Sequence, residues 1–203
     1  MAIQFTALGM SGSGKTCYML GMYYKMCGAY KGYTLKANDD TDVHLRNTYE
    51  MMRDAKKGVE RFPMGTDGVS EYVFDLQYAF SSIMDFKWID YPGGALVNKK
   101  SGNIESYNKI CSTIKNSSTL FIFVDGSYLI GDDNDEKINS IQHECASTIN
   151  HFFSDYKKDN GVIPPVAIVI TKYDLCASYY QNRETELHYI MEEAFNALFS
   201  RRE

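Results

Sequence analysis

"LGMSGSGKTCY", residues 8–18, decides the reading of this chain. Gly9, Gly14, Lys15 and Thr16 satisfy the pattern G-x-x-x-x-G-K-[ST]. Glycines let such a loop curl so that backbone N–H groups point inward at phosphate oxygens. The lysine adds a point charge, and the threonine hydroxyl can hold a magnesium ion. The flanks agree with this. "AIQFTAL" (2–8) reads as a short strand and "TCYMLGMYYKMC" (16–27) as a helix. Strand, loop and helix N-terminus is the order a phosphate site requires. The plain alternative is a Gly/Ser turn between two elements.

Outward from that loop, the bulk properties set limits. A chain of 203 residues with 44% hydrophobic and 23% charged residues suits one soluble domain with a well-filled core. The net charge of −5 argues against a broad electrostatic grip on nucleic acid or anionic lipid. The basic pairs Lys56-Lys57, Lys99-Lys100, Lys157-Lys158 and Arg201-Arg202 are scattered and read as solvated surface. Five cysteines, at least ten residues apart, speak against a disulfide framework or a zinc site and for a reducing compartment. The four histidines lack metal-ligand spacing; His143 and His151 read as solvated or capped. No apolar run spans a bilayer, and the start lacks the basic and apolar regions of a signal peptide. The expectation is a cytoplasmic protein.

The elements then follow in alternation. Residues 38–58 open on Asn/Asp capping candidates and stop at Gly58, as an exposed helix does. "SEYVFDLQY" (70–78) alternates Tyr72, Phe74 and Leu76 with Glu71, Asp75 and Gln77, the mark of a half-buried strand, and pairs as a hairpin with "SIMDFKWID" (82–90). A polar helix over 101–116 leads to "TLFIFVD" (119–125), a continuous apolar run expected of a central parallel strand. A long helix over 133–158 precedes a second buried strand, 165–171. The last segment, 184–202, sets Leu187, Ile190, Met191, Ala194 and Leu198 on one helical stripe. Strands alternating with helices predict an α/β fold with a mainly parallel sheet, functional loops lying at the strands' carboxyl ends.

Two further motifs fall at such ends. "DYPGG" (90–94) closes the 82–90 strand. Asp90 could accept hydrogen bonds from magnesium-bound water, and Gly93 offers a backbone N–H that no side chain keeps from a terminal phosphate. "TKYD" (171–174) closes the 165–171 strand. A carboxylate at Asp174 could accept from both N1–H and the exocyclic amine of guanine, a donor pair that adenine does not offer. The stem of Lys172 could lie across the base plane.

G-x-x-x-x-G-K-[ST], then D-x-x-G, then [NT]-K-x-D resembles the P-loop GTPases of the Ras-like, translation-factor-related class. The stretch "RFPMGT…YVFDLQ…FKWIDYPGG" is also similar to bacterial double-GTPase or GTPase-like domains. The resemblance implies a three-layer P-loop NTPase fold with one antiparallel hairpin strand, magnesium-dependent binding of GTP and GDP, and switch loops ordered by the γ-phosphate. Carried over by motif, Gly9, Ser11, Gly12, Ser13, Gly14 and Lys15 cradle the phosphates, with Cys17 and Thr171 counted with the nucleotide site. Thr16 coordinates magnesium directly and Asp90 through water; Gly93 senses the γ-phosphate; Lys172 and Asp174 read the base. The first switch needs a threonine. Thr66 is favoured over Thr34, since the interval from Thr66 to Asp90 holds just two strands and a turn. Arg61, shortly before Thr66, is a candidate cis arginine.

Three features depart from that pattern. Gly94 stands where better-known members carry a water-orienting glutamine. The stretch before Thr66 is long and holds a helix. No final strand, base-contacting loop or last helix follows Asp174, so residues 1–203 read as one C-terminally truncated G domain with an open sheet edge beside Thr171. The function implied is a GTP-dependent switch with slow hydrolysis and an unnamed effector protein. A P-loop ATPase or small-molecule kinase, and a pseudo-GTPase scaffold, are the competing readings.

Overall fold

Apolar residues that alternate in strands and recur every three or four positions in helices have one economical solution here, a sheet covered on both faces. The computed structural model describes residues 3–54, 68–96, 104–129, 136–181 and 184–199. In chain order these form β1 (Ile3–Gly9), α1 (Lys15–Cys27), β2 (Tyr33–Lys36), α2 (Asp39–Asp54), β3 (Ser70–Tyr78), β4 (Ser81–Asp90), α3 (Ile104–Lys115) and β5 (Thr119–Asp125). A 3-10 turn over Gly126–Leu129 follows, then α4 (Glu136–Asn160), β6 (Val166–Thr171), α5 (Tyr173–Tyr180), α6 (Glu184–Ala194) and α7 (Asn196–Phe199). The strands make one sheet in the order β2-β3-β4-β1-β5-β6. β4, β1, β5 and β6 are mutually parallel, while β3 runs antiparallel to both its neighbours. The expected α/β architecture with one antiparallel hairpin strand is therefore present.

The sheet separates two cores. Along β5, Leu120, Ile122 and Val124 face one side, where they pack with Ile110, Ile114, Ile149, Phe152 and Phe153 of α3 and α4. Phe123 faces the other side, with Met19, Leu20 and Tyr23 of α1, Leu45 of α2, and Phe74 and Trp88 of the hairpin. A strand covered on both faces has no polar side to show, which is why 119–125 reads as an unbroken apolar run. Helix α2 buries only Leu45 and leaves Val43 and Met51 exposed.

The register positions the site. Ala7 lies opposite Asp90, Gly9 opposite Phe123, and Asp125 opposite Thr171. The carboxyl ends of β1, β4, β5 and β6 thus meet at one edge. From β1 the chain passes through α1 to the β2-β3-β4 side of the sheet, and from β4 through α3 to the β5-β6 side, so the strand order reverses at β1, the place where ligands of such sheets bind.

Three details differ from the expectations drawn from the sequence. β2 was not anticipated; it is a four-residue edge strand, antiparallel to β3, with Leu35 alone buried, too little for a periodic signal. Of the helix predicted over 38–58, Asp39–Asp54 is helical and residues 55–58 lie outside the described residues. The helix predicted over 184–202 breaks at Phe195 into α6 and α7. A short helix, α5, follows directly on β6. Among the described residues β6 pairs with β5 alone. The sheet's sixth strand is β2, on the opposite edge.

Candidate functional site

The loop of residues 10–14 is closed by its glycines and filled by its lysine. Gly9 ends β1 with φ +153°, and a Cβ there would stand 2.6 Å from the Phe123 carbonyl oxygen. Gly14 caps α1 in the left-handed region, φ 79°. At both positions a side chain would open the loop. Ser11 and Gly12 form the exposed crown, while Ser13 is 2% exposed and its Oγ lacks a partner. Lys15 is 6% exposed and donates from Nζ to the carbonyls of Gly9 at 3.0 Å and Met10 at 3.1 Å. Burial pulls its ammonium below the ordinary lysine range, with the Asp90 charge opposing.

The next two side chains join β1's helix to β4. Thr16 Oγ1 donates to Asp90 Oδ2 at 2.7 Å. The other carboxylate oxygen, Oδ1, is buried without a hydrogen-bond partner in a residue 1% exposed. Burial pushes the Asp90 carboxyl up, opposed by the Thr16 hydroxyl and by Lys15. A hydroxyl and a carboxylate with an orphaned oxygen, both hard donors, fit magnesium. Three residues on, Gly93 lies against the phosphate loop so closely that a Cβ would stand 2.1 Å from the Ser11 nitrogen. Gly94 is exposed and a Cβ there would meet nothing within 4 Å.

From β6 comes the third loop. Thr171 Oγ1 donates to the Ser13 carbonyl at 2.7 Å and the Val124 carbonyl at 3.1 Å, bolting the end of β6 to the phosphate loop. Lys172 adopts φ 49°, ψ 34° at the N-cap of α5, so the chain turns sharply out of the strand. Asp174 stands exposed in the first turn of that helix. Cys17, half-buried in the first turn of α1, has its thiol pushed up by burial.

The fold therefore brings Gly9 to Cys17, Asp90, Gly93, Thr171, Lys172 and Asp174 to one edge. Thr66 and Arg61 lie outside the described residues. Thr34 sits on β2 opposite Gln77, near the hairpin turn and at the far end of β3 from Ser70, the partner of Asp90. It is remote from the phosphate loop.

Residues 5–203 match the family model described as Double-GTPase 2. The chain belongs to the Double-GTPase 2 family. No curated protein matches it. Among solved structures, the GTP-bound Ski7 GTPase-like domain of S. cerevisiae is 16% identical over 98% of this chain, with a TM-score of 0.49. This chain spans only 41% of that one. The signal recognition particle receptor SRb-GTP/SRX complex from Chaetomium thermophilum is 17% identical over 95% of this chain and 81% of its own, with a TM-score of 0.50. At 17% identity the likeness to the SRb complex is one of fold alone. Among the described residues of this Double-GTPase 2 domain, no helix is long and apolar enough to cross a membrane.

One residue of the site escaped the sequence reading. Asp125 ends β5 at 4% exposure and pairs with the Lys172 ammonium. The only sequence signal is an acid closing an apolar run, which a plain strand end also gives. The bolt between the loops has a direct test. Thr171→Val removes a donor shared between two carbonyls and should lower stability to urea by about 1–2 kcal/mol. An unchanged unfolding midpoint would show that the hydroxyl does not hold the loops together.

Proposed function

We propose that this domain is a GTP-binding switch with slow, magnesium-dependent hydrolysis to GDP and phosphate. One observation carries the reading. The Thr16–Asp90 pair, with its orphaned Asp90 Oδ1, stands beside the buried Lys15 ammonium in a loop closed by glycine. Family membership supports it.

In this reading the loop amides of residues 11–16 and the Lys15 ammonium hold the α- and β-phosphates, the ammonium exchanging two carbonyl acceptors for phosphate oxygens. Thr16 and Asp90 would hold magnesium, which would neutralise charge on the terminal phosphates. Gly93 touches the phosphate loop backbone to backbone, so a γ-phosphate at that contact displaces the Asp90–Gly94 loop and exposes the change to an effector protein. The Lys172 stem covers the base, and Asp174 accepts its two edge donors. Thr66 is the proposed first-switch threonine and Arg61 the cis arginine.

Base choice rests on Asp174. Adenine leaves the carboxylate's acceptors unmatched, at about 1–3 kcal/mol for each lost partner. Asp174→Asn should shift preference from GDP toward xanthosine diphosphate, whose base edge presents an acceptor, in competition titrations. Equal binding of ATP and GTP by the wild type would instead favour the ATPase or kinase reading.

Hydrolysis should be slow, because Gly94 offers no group to orient water and chemistry of this kind depends on positioning and charge stabilisation. Single-turnover GTP hydrolysis is expected below about one per minute, as for unaided domains of this type. Gly94→Gln, for which the structure has room, should accelerate it, and Arg61→Ala should slow it further. Fast wild-type turnover untouched by Arg61→Ala would contradict both assignments. Tight GTP binding with no turnover at all would favour the scaffold reading.

A further inference from the structure

We propose that Asp125 is a positioning residue for base recognition, acting through Lys172. The inference rests on the nucleotide-binding reading above and adds a residue to it. Asp125 ends β5 directly opposite Thr171 and is 4% exposed. A buried carboxylate is costly unless its oxygens are filled, and these are. Oδ1 accepts from the Ser127 backbone N–H at 3.0 Å and the Ser127 hydroxyl at 2.7 Å, both within the 3-10 turn. Oδ2 accepts from Lys172 Nζ.

The geometry gives the pair a direction. Ser127 fixes the carboxylate, so Asp125 is the anchor. Lys172 is its tethered partner, with a side chain 45% exposed and four rotatable bonds. Backbone packing on either side holds the two ends at a set distance. A Cβ at Gly126 would stand 2.6 Å from the Thr171 carbonyl oxygen, and the Tyr180 hydroxyl of α5 donates to the Leu129 carbonyl at 2.8 Å. The left-handed backbone of Lys172 aims its side chain back from β6 toward β5 rather than onward with α5. Its aliphatic stem consequently spans the ends of the two strands, at the edge where the phosphate loop lies. A lysine stem held flat there can cover a purine face; an untethered one swings into water and must be ordered on binding, at an entropic cost. The tether acts on any purine base and leaves the phosphates untouched, which separates it from Asp174 and from Lys15.

The test uses Asp125→Asn, whose amide oxygen can still accept from Ser127 while the charge that holds Lys172 is gone. Binding of GDP and of inorganic pyrophosphate is measured by calorimetry on the whole chain. GDP affinity should fall about tenfold, with pyrophosphate affinity unchanged. In a Lys172→Met background, which keeps the stem and removes the ammonium, Asp125→Asn should cause no further loss. Equal GDP affinity in wild type and Asp125→Asn would overturn the proposal, as would parallel loss of GDP and pyrophosphate or an undiminished effect in Lys172→Met. A wild type that binds neither ligand would instead overturn the nucleotide reading itself.

Discussion

A lysine ammonium almost sealed from water is the constraint on which the site depends. Lys15 faces two carbonyls and, across the gap, the Asp90 carboxylate, the opposite charge that acts on it among the described residues. Carbonyl dipoles solvate a cation only in part, and burial pulls its pKa down. The arrangement favours an anion that enters the loop, where α1 adds the positive end of its dipole. The glycines at 9 and 14 exist to allow this closure. So does the parallel sheet, which brings the carboxyl ends of β1, β4, β5 and β6 to one edge, where ligands of such sheets bind.

Around that charge, loops from four strands are tied to one another rather than merely adjacent. Thr16 reaches Asp90 at the end of β4, Thr171 at the end of β6 reaches Ser13 and Val124, and Lys172 reaches Asp125 at the end of β5. Each tie crosses between elements far apart in sequence, so the edge behaves as one surface. The close approach of Gly93 to Ser11 lies three residues from Asp90, which the Thr16 hydroxyl holds. In the proposed switch reading, these ties would couple phosphate state to loop position without any long-range relay.

Much of this was legible in the sequence, for reasons that can be named. The phosphate loop showed because glycine, lysine and threonine are each required by a different part of the geometry. β5 showed because both its faces are covered, and Asp90 and the 171–174 loop because they end strong strands. β2 did not show, since one buried leucine makes no period. α5 was hidden behind the motif that starts it, where Lys172 turns the chain out of the strand in a conformation no local pattern announces. Asp125 was invisible as a partner because its role exists only once β5 and β6 are in register. No local pattern could place Thr34, which β2 sets at the far end of the hairpin.

On the proposed reading the buried Lys15 ammonium receives a nucleotide phosphate. Calorimetric titration of the wild type and of Lys15→Ala with GDP and magnesium tests it most directly, with circular dichroism as the check on folding. Saturable binding by the wild type, none measurable in the variant, and superimposable spectra are expected, because Lys15 belongs to a site and not to either core. Unchanged GDP affinity in Lys15→Ala would contradict it.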